Sequence, residues 1–211
     1  MAAPYTLDSD GDTVSDLDET DAGSDPANPS SLPPGFHIVR IGTKSLVIRD
    51  GSKKNLPSKR FISFNASTKN AGAANRITAP ARGGPGDPRA GGATLFVYNT
   101  GGSGEAVRIP LSPSRWTAKG SNARPAGYVF KAAGKSEPVQ QITILNDELV
   151  VKGGREFFAY SLDEPSQGRI AIRLTLGTDV QWCTEATARQ AETDKFVANS
   201  NTPAPATCPD F

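Results

Sequence analysis

The stretch DSDGDTVSDLDETDAGSD, residues 8–25, carries eight acidic side chains and no basic one. Counted from Asp8, the first, third and fifth positions are Asp8, Asp10 and Asp12, the seventh is Val14, the ninth Asp16 and the twelfth Glu19. A calcium loop of about 12 residues uses this pattern: side-chain oxygens at positions 1, 3 and 5, a backbone carbonyl at 7, a ninth-position ligand often acting through water, and a two-oxygen glutamate at 12. Ca2+ takes roughly six to eight hard oxygens in flexible geometry, and alternating carboxylates on a short loop can wrap one ion. Without a cation the same groups repel one another and hold the segment open. A disordered acidic tail needs no such regular spacing, so metal binding is the expectation.

Two departures refine it. Thr13 stands at the sixth position, where an EF-hand loop has glycine for its sharp turn, and Gly11 stands two residues earlier. Pro4 lies upstream, while Gly23 and Pro26 would end any helix downstream, so the paired helices of an EF-hand are not expected. The run resembles instead the bacterial form of the thrombospondin type 3 repeat, DxDGDxxSDxxE…GTDPxNP, over residues 8–29, with Ser24 where threonine is usual. The resemblance implies a calcium-bound rod or spacer on a secreted or surface protein, with little secondary structure of its own. It implies Asp8, Asp10, Asp12, Asp16 and Glu19 as ligands, and makes Asp18, Asp21 and Asp25 candidates for a second ion or an outer shell. A looser resemblance covers roughly residues 44–210, through SLDEPSQGRIAIRLTLG, then WC and PAPATCP. It is to a β-rich module found beside such repeats in secreted bacterial proteins. In those modules the two cysteines pair, and the resemblance implies no chemistry beyond that.

Chemistry elsewhere in the chain is sparse. The two cysteines, Cys183 and Cys208, and the single histidine, His37, are too few for a structural zinc site without help. A Cys183–Cys208 disulfide is the natural alternative; it closes a loop of about 25 residues, is worth roughly 3–4 kcal/mol, and points to an oxidising compartment. AAGKS, residues 132–136, ends like a phosphate-binding loop, but Val129 stands where its first glycine belongs and EPV follows where a helix should begin. His37 has no nucleophile motif around it and reads as a surface or edge residue. Asp147, Glu148, Asp163 and Glu164 could in principle approach one another as a glycosidase pair, yet acids at turn corners are ordinary solvated groups. Trp116, Trp182, Tyr98, Tyr128 and Tyr160 could form a sugar platform; core packing is favoured for most, with Trp116 expected to be the most exposed. Asn65, in NAS, matches an N-glycosylation acceptor.

The elements that must position these residues are short strands. With 36% apolar residues, 21 Gly and 17 Pro, the composition suits a loop-rich β protein better than a helical bundle. Residues 1–31 form the acidic segment, 32–35 a Pro-rich linker, and 36–211 a disulfide-closed domain expected to be all-β, a sandwich of about ten strands. FHIVRI and SLVIRD read as a hairpin across GTK, QQITIL and ELVVKG as another across Asn146-Asp147, and ATLFVYNT and EAVRIPL flank GGSG. TEATARQAETDKFVA, residues 184–198, lacks a clean helical stripe and reads as a strand-and-loop excursion with room for a helical turn.

Charge is divided unevenly. Residues 1–31 hold eight acids and no base, net −8; the rest of the chain holds 14 acids and 23 bases, net +9. The bases are scattered singly, without an arginine cluster or RNP-like motif, so nucleic-acid binding is not expected. No apolar run is long enough to span a membrane, and MAAPYT lacks the features of a secretory signal, so an exported form would have lost one or be part of a longer chain. The expected function is a non-catalytic extracellular, calcium-binding structural protein. It would self-associate, as the repeating subunit of a surface fibre in which the acidic arm of one copy lies on the basic domain of the next. The alternative is a carbohydrate-binding or adhesion module of a larger surface protein.

Overall fold

Alternation of apolar and polar side chains along short runs defines the strands. The computed structural model describes residues 9–10, 16, 19, 24–28, 31–32, 35–51, 56–122, 124–163 and 167–209. Among them lie β1 (His37–Arg40), β2 (Ser45–Arg49), β3 (Phe61–Ser67), β4 (Ala93–Asn99), β5 (Ala106–Leu111), β6 (Trp116–Gly120), β7 (Pro125–Lys131), β8 (Val139–Leu145), β9 (Glu148–Gly154), β10 (Arg169–Leu176), β11 (Val180–Glu192) and β12 (Lys195–Ala198). The fold is all-β, as expected. In β3, Ile62, Phe64 and Ala66 are buried while Phe61 and Ser67 are exposed, the period-two pattern of a half-buried strand. Leu46 and Ile48 of β2, Ile142 and Ile144 of β8, and Leu149 and Val151 of β9 repeat it.

The strands form one large curled sheet in the order β5-β4-β10-β11-β12-β2-β3-β9-β8-β7-β6, with β1 added beside β11. Every pair is antiparallel except β1 with β11. The curl runs through β11. Up to Thr187 this strand pairs with β10; from Ala188 it pairs with β12, and a register shift between Ala188 and Gln190 marks the change. Such an irregularity bends a strand and increases its twist. It divides the sheet into a short limb (β5, β4, β10, the first half of β11, and β1) and a long limb (the second half of β11 through to β6). One apolar cluster joins Leu95, Ile172 and Trp182 of the short limb to Phe64, Ile144 and Phe196 of the long one, so the inner side of the curl is the core.

The outer side of the short limb has its own cover. Arg108, Phe96, Arg173, Cys183 and Arg40 occupy one register row across five strands. The C-terminal segment lies over that row: Cys183 bonds to Cys208, with Cα atoms 5.7 Å apart. Arg40 donates to the Ala206 carbonyl, and Arg173 and the Tyr98 hydroxyl both donate to the Pro209 carbonyl. Phe96 and Tyr98 stack beneath it at 4.6 Å. Arg173 is thus buried at a position that alternation alone would assign to solvent.

Three local expectations meet the structure differently. The Asn146-Asp147 hairpin forms, with Asp147 at φ 65°. The GTK hairpin does not: β1 joins β11 and β2 joins β3 and β12, because Thr43 bridges Thr202 across the intervening turn and its hydroxyl meets that of Thr184 at 2.9 Å. Residues 184–198 contain no helix; they finish β11, turn, and return as β12.

Candidate functional site

Of the nine residues expected around calcium, Asp10, Asp16, Glu19 and Asp25 are described, whereas Asp8, Asp12, Val14, Asp18 and Asp21 lie outside the described residues. The Ser9 amide and hydroxyl each donate to a different oxygen of Asp16, both at 2.7 Å. This clasp closes the run between its second and ninth positions. Asp10 is half-buried, and Glu19, the twelfth position, is fully buried, with its carbonyl accepting from the Ser24 amide at 2.9 Å. Asp25 is exposed and serves a turn: its carboxylate accepts from the Ala27 amide and its carbonyl from the Asn28 amide. Among the described residues, no group of three or more His, Cys, Asp or Glu gathers as a metal centre. The donor set nonetheless fits Ca2+ in kind, being all oxygen and, apart from the Val14 carbonyl, anionic. The withdrawal of Glu19 from water is the environment in which a carboxylate gains most from a cation.

Tyr98, Tyr128, Tyr160 and Trp182 are each at most 1% exposed and belong to the interior. Trp116 corrects the expectation of exposure. It is 5% exposed, because it opens β6 in register with Phe130, against which its ring packs at 5.4 Å. These five aromatic rings therefore offer no platform. Asn65 sits half-buried in the middle of β3, between Ser45 of β2 and Val150 of β9. His37 is exposed at the start of β1. Asp147 is gripped by Arg76 through two hydrogen bonds and accepts from Thr68; the Arg76 contact holds its carboxyl below the usual range, the opposite of what a general acid needs. Glu164 lies outside the described residues.

A tighter acid–base pair ties the two limbs together. Asp87 caps the single helical turn Pro88–Gly91, accepting from the Gly83 and Arg89 amides and from the Arg89 guanidinium. Those bonds, led by the one from the Arg89 side chain, lower its pKa to about 2. Arg89 in turn lies over the Tyr128 ring of β7, while Gly86 packs against Asp179 in the β10–β11 turn. Burial raises the Tyr128 hydroxyl pKa.

The long limb's outer side holds residues whose grouping sequence reasoning missed. Lys195, Arg49 and Phe61 are cross-strand neighbours on β12, β2 and β3, at positions alternate to the buried Phe196, Ile48 and Ile62. At the end of this row, Arg49, Lys59, Arg60, Phe61, Gln140 and Arg155 line an open cavity of about 610 Å³. Four of its lining residues are cationic and none is acidic. Arg60 is fixed there by donating to the carbonyls of Asp50 and Phe158. Gly154, at φ 135°, passes so near the Arg60 carbonyl that a Cβ would collide with it, and Arg155 follows at φ 65°. In the sequence these bases are as much as 106 residues apart from Arg49 to Arg155; only their outward places on alternating strands could have signalled the grouping.

No protein-family model, no curated protein and no solved structure matches this chain. No helix among the described residues is long and apolar enough to cross a membrane.

Proposed function

We propose that this chain is a non-catalytic, extracellular, calcium-binding structural protein that self-associates head to tail, as the repeating subunit of a surface fibre. One observation carries the reading: a single chain separates −8 in residues 1–31 from +9 in the remainder, and four cations of the β domain line one open cavity on the outer side of its long limb. Opposite charges on different parts of identical copies favour a heterologous contact, which propagates into a filament when its rotation does not close a ring. The disulfide is consistent with export to an oxidising compartment.

Calcium supplies shape in this scheme. Asp8, Asp10 and Asp12 would offer side-chain oxygens, Val14 its carbonyl, Glu19 two oxygens, and Asp16 the ninth-position contact. Asp18, Asp21 and Asp25 would serve a second ion or the outer shell. The ion offsets the repulsion that otherwise spreads the arm. Thr13 in place of the loop glycine puts the expected Kd at the weak end, about 0.1–1 mM, where extracellular modules work. Calcium titration followed by circular dichroism and light scattering, with electron microscopy of the same samples, tests both parts. Filaments that disappear with EDTA are expected. Monomers unaffected by calcium, or monomers that bind a glycan array, would overturn the reading.

A further inference from the structure

We infer that the cationic cavity at the Arg49–Arg155 end of the long limb is the docking surface for the acidic segment 8–25 of a second copy of this chain. The inference rests on the head-to-tail reading and adds the surface that receives the arm.

Arg49, Lys59, Arg60 and Arg155 line the cavity with no carboxylate among its lining residues, and Lys195 extends the row on β12. Lys195 stands in register between Glu192 of β11 and Arg49 of β2, so the row is cationic from Lys195 towards the cavity. The segment with the matching sign is on the same chain: eight acids and no base, and with one calcium ion bound still net −6. Phe61, 40% exposed within the same row, provides an apolar contact for Leu17, the one large aliphatic residue between Asp16 and Asp18.

Placement gives the contact two separate surfaces on each copy. The arm joins the domain at β1, where His37 pairs with Val180 at the start of β11. The cavity adjoins the other end of that strand, beside the turn from Glu192 to Lys195. At about 3.3 Å per residue, β11 separates the two by a contour of roughly 40 Å. The arm's point of attachment and the acceptor cavity thus adjoin opposite ends of β11, two different surfaces of the kind a heterologous contact joins. The short limb's outer side is already occupied by the chain's own C-terminal segment.

Zero-length carbodiimide coupling tests this on the wild-type protein. Equal amounts of unlabelled and 15N-labelled full chain, mixed with calcium, are coupled and digested. Mixed-isotope links joining Lys59 or Lys195 to acids of residues 8–25 are expected; links confined to one chain overturn the inference. In parallel, the combined variant Arg49→Glu, Lys59→Glu, Arg155→Glu should raise the concentration midpoint of assembly, measured by sedimentation, about tenfold or more. Lys119→Glu with Lys131→Glu, farther across the same side, should leave it within about twofold. Assembly that persists with links at other lysines removes this surface but leaves the head-to-tail reading standing. A chain that stays monomeric at every calcium concentration removes both.

Discussion

The two outer sides of the curled sheet face the same problem and meet it differently. On the short limb, Arg173 and Arg40 lie in a register row with Cys183, and the C-terminal segment covers the row through one disulfide and three hydrogen bonds to carbonyls. On the long limb, Arg49 and Lys195 lie in a row with Phe61, which stays 40% exposed. A buried guanidinium is tolerated where acceptors surround it, and the chain's own tail supplies them on one side. The other side keeps its cations at the surface, with Lys195 in register between Glu192 and Arg49. That contrast leaves the open side available to a partner: four cations line its cavity and none of the lining residues is acidic.

Uncovering the short limb's outer side should have the largest effect. Cys183→Ser combined with Cys208→Ser should lower stability by roughly 3–4 kcal/mol, read from chemical denaturation, and should bring Phe96 and Tyr98 within reach of an apolar dye. Stability unchanged within error would mean that the carbonyl bonds alone hold the tail in place.

A smaller effect should come from the clamp that joins the limbs. The Asp87 carboxyl, 3% exposed, has its pKa lowered from 3.8 to about 2, so its contribution is complete above about pH 4 and is lost as the pH falls towards 2. That contribution is about 2 kcal/mol. Asp87→Asn should remove it at neutral pH and flatten the acid limb of the stability profile, leaving the tail's attachment to the short limb intact by hydrogen exchange.

The smallest effect on the fold should come at Lys195. Lys195→Thr removes its register pairs with both Glu192 and Arg49, one of opposite and one of like charge, so monomer stability should stay within about 0.5 kcal/mol, while self-association weakens. A substitution that spares the fold and harms assembly would mark the long limb's outer side as a surface kept for a partner. Loss of stability would instead assign Lys195 a packing role.

Much of the β framework is legible before any coordinates. Phe61-Ile62-Ser63-Phe64 announces a strand with Ile62 and Phe64 inward, and Asn146-Asp147 announces the turn that Asp147 completes at positive φ. The Cys183–Cys208 link follows from there being two thiols and little else to bind them. The misreadings share one cause. Gly42-Thr43-Lys44 has good turn chemistry, but Thr202 competes for Thr43 from the far end of the chain. Trp116 sits between polar neighbours, yet its register partner is Phe130 in the core. Local residues state what a segment can do, and distant partners choose among the options. In the candidate calcium segment, the ligand spacing is wholly a sequence property; the clasp of Ser9 on Asp16 and the burial of Glu19 are additions from the structure.

Short strands, a disulfide and the division of charge between an acidic arm and a basic domain are written along one dimension, because periodicity, cysteine count and charge are properties of residue order. Which arginines share a row, and which row is covered, depends on the assembled fold. Strand pairing over more than a hundred residues sets that, and the energy that chooses one pairing over another lies in a core assembled from both limbs at once.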